Sequence, residues 1–296
     1  MLAQSVVLLC GVLAVQGFTL GSNDVIYHLF TRTNPTASQP LLADPNIIAQ
    51  SSFSLDIPTI ITIHSYGETV SGNFNAHLVP AHLAVQNVNV IAVDYSRGAG
   101  IYTVGLGNAP QVGEMIANFI NILYDNFGYR IDLIRIVGVG LGGHIAGIAA
   151  RKVKGEIPHI FALDPSLIGW SHHPEKLHPD DADVVEVLYT TAGVYGYDTP
   201  LGDLNMYSNG GSRQTGCGTD ISCSHDLSYV YYAESITAEM NNGPQFVGTA
   251  CDNYAQAIAL QCTGARDVVF GGPATKRGIS GTYTFLTNAV RPFARG

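Results

Sequence analysis

Charge is scarce in this sequence. Only 12% of its 296 residues are Asp, Glu, Lys or Arg, about half the ~25% usual for globular proteins. Lysine and arginine number 14 against 23 acids, a formal net charge of −9. That balance excludes the basic patches by which proteins hold nucleic acid or anionic membranes, so no nucleic-acid partner is expected. Asn-x-Ser/Thr sequons are also missing, since Asn34 is followed by Pro35. Beyond the first 17 residues no apolar run approaches the ~18 residues of a bilayer span, so a soluble product without a transmembrane segment is expected. No repeat, linker or low-complexity tract divides the chain. The 46% of apolar residues argues instead for a large buried interior.

Residues 1–17 carry no charged side chain and an apolar core from Val6 to Val15. That stretch is short for a transmembrane helix and fits a secretory signal cleaved near Gly17. The expected mature product is therefore a secreted, extracellular domain over residues 18–296. Loss of the signal removes Cys10 and leaves Cys217, Cys223, Cys251 and Cys262. Four cysteines in an oxidising compartment allow three pairings, of which sequence proximity favours Cys217–Cys223 and Cys251–Cys262.

β-Branched and apolar runs predict strands at 25–30, 59–64, 88–93, 133–138, 159–163 and 184–190. Between the third and fourth, Val112, Met115, Ile116, Phe119, Ile120 and Leu123 recur at helical spacing, with Gly128 at the C-cap position. Strands alternating with helices predict a mostly parallel α/β sheet flanked by helices. The run 133–137 enters a corner of Gly138, Val139, Gly140, Leu141 and Gly142, and a small-residue helix follows. This is the strand-turn-helix on which α/β hydrolases mount a nucleophilic serine in a G-x-S-x-G pattern. Gly140 stands where the serine belongs. Asp164 follows the strand at 159–163, and His225 lies two residues beyond Cys223. The order elbow, acid, histidine is that of the α/β hydrolases. Read alone, Asp164 serves equally as a turn-forming Asp-Pro, and His225 as a loop histidine.

Together with several further motifs, these residues resemble the neutral, pancreatic-type lipase family, in particular its insect branch. The motifs include the stretch from His28 to Pro35, the strand ending in His64, Ser65 and Tyr66, and the run from Asn89 to Tyr95. They continue through Leu163, Asp164 and Pro165, the run at 180–187, Ser208 to Gly211, Cys223 to His225, and Lys276 to Tyr283. The resemblance implies an α/β-hydrolase fold without the C-terminal β-sandwich of vertebrate lipases. It places the acid on Asp164, the base on His225 and the lost nucleophile on Gly140. The oxyanion hole falls to the backbone N–H groups of Tyr66 and Leu141. The family's His-Gly-aromatic reads His64, Ser65, Tyr66 here, and Val139 replaces the histidine usual before the serine.

The family's lid lies between two cysteines before the catalytic histidine, yet here only residues 218–222 separate Cys217 from Cys223. An uncovered pocket follows. The calcium loop of some relatives would fall at 173–181, where His178 stands for an expected Asp and Lys176 for the Arg. No metal and no cofactor are assigned, and His172, His173 and His178 are read as a solvated cluster. Without a hydroxyl at position 140 the acyl-enzyme route is closed. The resemblance then implies a serine-less, yolk-protein-like homologue that stores or binds a lipid or another lipophilic molecule. The alternatives are a carboxylester or phospholipid hydrolase with a nucleophile such as Ser65 or Ser166, and a module that binds a protein partner. On this reading the loss is confined to the corner, so one restored hydroxyl, Gly140→Ser, is the direct test.

Overall fold

Residues 18–296 are described by the structure, a computed structural model; the expected signal segment 1–17 lies outside the described residues. All six predicted strands are present. They are β1 (Ile26–Phe30), β3 (Thr59–Ile63), β4 (Asn89–Asp94), β5 (Ile134–Val139), β6 (His159–Leu163) and β7 (Val185–Tyr189). To these the structure adds β2 (Gln39–Leu41), β8 (Leu204–Ser208), β9 (Val247–Cys251), β10 (Arg266–Val269) and β11 (Gly281–Phe285). Together they form an 11-stranded sheet in the order β10-β9-β11-β8-β7-β6-β5-β3-β4-β1-β2. From β4 to β11 every neighbouring pair is parallel, and antiparallel strands close both edges. This is the α/β-hydrolase fold, a mostly parallel sheet with flanking helices.

The central strands are legible because both of their faces are covered. Every residue of β3, β6 and β7 is buried, which forces continuous apolar runs rather than alternation. Side chains still sort by face. Ile134 and Ile136 of β5 join the core beneath α3 (Tyr102–Phe127) and α4 (Leu141–Ala150). Val137 and Val139 join the opposite core, beneath α2 (Asn73–Val85) and α5 (Ile221–Thr237). Helix α3 buries Val112, Ile116, Phe119, Ile120 and Leu123 in one stripe and ends at Gly128, whose φ of 64° makes the left-handed cap. Two short helices, α1 (Pro45–Ala49) and α6 (Tyr254–Ala259), complete the set of α-helices among the described residues.

The elements that sequence patterning does not reveal lack a clean apolar pattern. Helix α2 carries Pro80 in its interior, and α5 is rich in serine and tyrosine with little periodicity, so neither shows a clean apolar stripe. Strand β8 places Asn205 in the core. The Asn205 amide oxygen accepts from Tyr189 Oη at 2.9 Å and from the Leu201 and Gly202 N–H groups at 3.1 Å each. A buried amide so satisfied costs little, but its partners come from another strand and a loop.

Both disulfides have the pairing that proximity favoured, Cys217–Cys223 and Cys251–Cys262. The first clips the entry to α5, where the Asp220 side chain caps the helix by accepting from Cys223 N–H at 3.0 Å. His225 therefore sits in the opening turns of a 17-residue helix, not on a loop as its flanking residues suggest.

Candidate functional site

The corner between β5 and α4 is tighter than side chains permit. A Cβ on Gly138 would stand 2.1 Å from the Gly142 carbonyl oxygen, and one on Gly142 would stand 2.1 Å from the Ile63 carbonyl oxygen. Both glycines are required for the helix to start against β3. At the apex, Gly140 has φ 56° and ψ −116°, a backbone state that costs a non-glycine residue about 1–3 kcal/mol. Gly140 N–H donates to Leu163 O at 3.1 Å, and Gly140 O accepts from Ser166 N–H at 3.2 Å. The apex is thereby tied to the loop that carries Asp164.

Asp164 follows β6 directly and is fully buried, with a positive φ of 47°. Its Oδ1 accepts from the N–H groups of Thr190 and Thr191 at 2.8 and 2.9 Å, and its Oδ2 accepts from the Thr191 hydroxyl. Oδ2 also meets His225 Nδ1 at 2.7 Å. The second nitrogen, Nε2, is left facing the pocket above Gly140. Burial pulls the pKa of His225 down, but the Asp164 carboxylate outweighs it, helped by Asp226 and Glu68, and the result lies above the ordinary histidine value. An acid thus holds an imidazole by one nitrogen and leaves the other free, the pairing that a general base needs.

The nucleophile side is different. A Cβ at position 140 would lie 3.4 Å from His225 Nε2, a separation from which a serine hydroxyl reaches the imidazole. No side chain is there. The space is instead bordered by Ser65, whose Oγ accepts from the Leu141 N–H at 3.4 Å. Of the two expected oxyanion donors, Leu141 N–H is thus engaged by a hydroxyl, while Tyr66 N–H makes no hydrogen bond among the described residues. Ser65 was read from the sequence as a departure from the family's glycine; its contact with the elbow becomes visible only once β3 and β5 are neighbours.

Above this floor opens a pocket of about 360 Å³. Its walls are Tyr66, Tyr102, Ile168, Tyr195 and Tyr229, and Glu68 and Asp226 stand at its polar side. Burial pushes both of these carboxyls above the usual range, and Glu68 Oε2 is buried without a hydrogen-bond partner. Tyr66, Ile168 and Tyr195 are 46%, 57% and 41% exposed, so the mouth is apolar and open to solvent. Helix α5 begins only four residues after Cys217, so the segment between the two cysteines is the short stretch 218–222.

Two of the three histidines in the 172–178 loop accept hydrogen bonds from nearby backbone N–H groups. His173 Nδ1 accepts from Glu175 N–H at 3.2 Å, the His178 side chain caps a short turn, and Arg151 pairs with Asp181 at 2.5 Å. Another histidine, His144, is fully buried on α4, stacked on Trp170 with centroids 4.0 Å apart. Its Nε2–H donates to Ser166 O at 2.7 Å, its Nδ1 accepts from Leu177 N–H at 3.1 Å, and burial lowers its pKa to about 3. It is a neutral core residue that braces α4 against the 166–177 loop.

Comparison with known proteins places these features in context. The Lipase family matches residues 12–285. The pancreatic triacylglycerol lipase of Cavia porcellus is 32% identical over 266 residues, covering 81% of this chain and 56% of that protein. Lipase member H-B of Xenopus laevis is 33% identical over 292 residues, 90% of this chain and 62% of that protein. A Mus musculus protein described as inactive pancreatic lipase-related protein 1 is 32% identical over 262 residues, 79% and 54%. The chain spans a little over half the length of the curated relatives it matches.

Proposed function

Because the chain belongs to the lipase family, we propose that it is a secreted, catalytically inactive member that binds an amphipathic, lipophilic molecule instead of hydrolysing it. The observation that carries this reading is Gly140 at the apex of an otherwise complete corner, with the imidazole of His225 aimed at a missing hydroxyl. Acyl transfer needs that hydroxyl. Without it, a triad site retains at most ~10³–10⁴-fold acceleration over water, far below the 10⁶-fold or more of ordinary enzymes. Glycine also relieves the strain of the apex, so the corner persists without its chemistry.

The pocket suits a ligand with an apolar body and a hydrogen-bonding head. Tyrosine and isoleucine walls would bury the body. Glu68 Oε2 and His225 Nε2 offer acceptor and donor positions to a hydroxyl or amine. Storage of the yolk-protein kind, and descent from the insect branch, are parts of this proposal that rest on the family resemblance. Export rests on the signal-like residues 1–17 and the two disulfides, with one domain over 18–296.

An ester hydrolase with Ser65 or Ser166 as nucleophile is the second reading, favoured by the retained Asp164–His225 pair. Purified protein assayed with p-nitrophenyl butyrate, beside His225→Ala, separates the two. No turnover above background in either protein is expected. Turnover at ordinary enzyme rates that His225→Ala abolishes would sink the inactive reading. Organic extraction and mass spectrometry of protein from its native source are expected to recover a stoichiometric amphiphile. A clean extract would point to the third reading, in which the pocket face docks a partner protein.

A further inference from the structure

We infer that Ser65 and Gly140 are a matched pair, and that the Ser65 side chain bars catalysis at this site independently of the missing serine. The Ser65 side chain stands in the volume of a nucleophile at position 140 and on one of its two oxyanion donors. The inference rests on the reading of the site as one without a nucleophile. It deepens that reading by identifying what has filled the vacancy.

The argument is geometric. A Cβ at position 140 would meet Ser65 Oγ at 2.4 Å and Ser65 Cβ at 3.0 Å, both inside the ~3.5–4.0 Å at which carbon atoms pack. Rotating Ser65 about χ1 moves its Oγ but leaves its Cβ in place, so the crowding is relieved only in part. Ser65 is 8% exposed and lines the pocket, so its hydroxyl can turn away from position 140 but its Cβ stays fixed by the backbone. The electrostatic conflict is separate from the steric one. Ser65 Oγ accepts from Leu141 N–H, the donor that a developing oxyanion would need. A hydroxyl already seated there must be displaced before an acyl carbonyl oxygen can enter. Glycine at position 65 removes both obstacles, and glycine at position 140 is what allows serine at 65. The two positions therefore exchange small and hydroxylated residues as a unit.

Repairing position 140 alone is accordingly a poor test of the rest of the site. With both Ser65→Gly and Gly140→Ser in place, the introduced hydroxyl gives its proton to His225 Nε2 as its oxygen bonds to the acyl carbon. The carbon–oxygen bond to the p-nitrophenyl group then breaks and the imidazolium proton passes to the leaving oxygen. Water next gives a proton to the freed Nε2 as it attacks the acyl carbon, and that proton returns to the introduced oxygen as its bond to the acyl carbon breaks and butyric acid leaves.

The test compares the unmodified chain, Ser65→Gly, Gly140→Ser and the joint exchange. Each is assayed for p-nitrophenyl butyrate turnover, labelling by a fluorophosphonate probe and Tm. The joint exchange is expected to exceed Gly140→Ser roughly 10²-fold in kcat, the loss typical of one missing oxyanion donor, and to label at position 140. In Tm the effect of Ser65→Gly should change sign. It lowers Tm in the unmodified chain by removing a buried hydrogen bond, and raises it beside Gly140→Ser by relieving the clash. The matched pair is overturned if Gly140→Ser alone equals the joint exchange in rate, or if Ser65→Gly lowers Tm equally in both backgrounds. It is also overturned if the joint exchange folds but neither turns over nor labels. In those three cases the nucleophile-free reading still stands. That reading fails separately if the unmodified protein hydrolyses the ester and Ser65→Gly abolishes it.

Discussion

The site divides into two halves that meet at His225. On one side, Asp164 is buried, accepts three hydrogen bonds from Thr190 and Thr191, and grips the imidazole at 2.7 Å. On the other, the apex residue has no side chain, and a neighbouring serine occupies the space and one of the donors. The contrast follows from what each half does besides chemistry. Asp164 holds together the ends of β6 and β7 through Thr190 and Thr191, so its loss would leave buried donors unsatisfied. A hydroxyl at the apex stabilises nothing in the fold and imposes backbone strain. Structural demands alone would keep the first half and release the second.

The largest effect that can test this comparison is catalytic. In the chain carrying Ser65→Gly with Gly140→Ser, His225→Ala is expected to lower kcat by ~10⁴-fold, measured with p-nitrophenyl butyrate. A rate that survives would mean that the acid–imidazole half does not serve as the base. Stability comes next. Asp164→Ala should cost about 3 kcal/mol in urea unfolding, because it orphans buried N–H groups and a partner imidazole. Ser65→Ala, which frees one weak hydrogen bond, should cost about 1 kcal/mol or less. Equal losses at the two positions would erase the distinction between a structural half and an expendable one.

The smallest effect is the pH dependence of Tm. The pKa of His225 is raised in the folded chain: burial opposes this, and Asp164 with Asp226 and Glu68 prevails. The stability from its proton is therefore complete below the ordinary histidine value of about 6.5 and is lost as pH rises through the higher folded value. His225→Gln should flatten that part of the Tm-versus-pH curve. An unchanged slope would show that Asp164 does not favour the imidazolium.

Most strands read from the sequence are buried on both faces; β1 alternates instead, and β8 is buried on both faces yet carries polar residues. Strands β3 to β7 could be read because helices cover both faces, leaving long apolar runs, and α3 because its stripe and its glycine cap agree. Helix α5 could not, since its opening turn is set by an Asp cap and a disulfide rather than by periodicity. His225 was therefore found through its place in the chain order and its likeness to a family, and its helical setting was missed. The strands beyond β7 were missed as well: β8 sets Asn205 and Ser208 among its apolar residues, and β9, β10 and β11 are short and partly exposed.

The sequence by itself determined that a hydrolase corner is present without its serine, because glycine spacing and the letter at position 140 are local facts. It also supplied Asp164 and His225 in order. Only the tertiary structure decided what the missing hydroxyl left behind. Positions 65 and 140 are 75 residues apart, and nothing local to either announces the other. Parallel pairing of β3 with β5 brings the two loops together at the carboxyl ends of their strands. There the volume released by one glycine is taken by one serine, whose Oγ stands 2.4 Å from where a Cβ at position 140 would be, a separation that packed interiors do not tolerate.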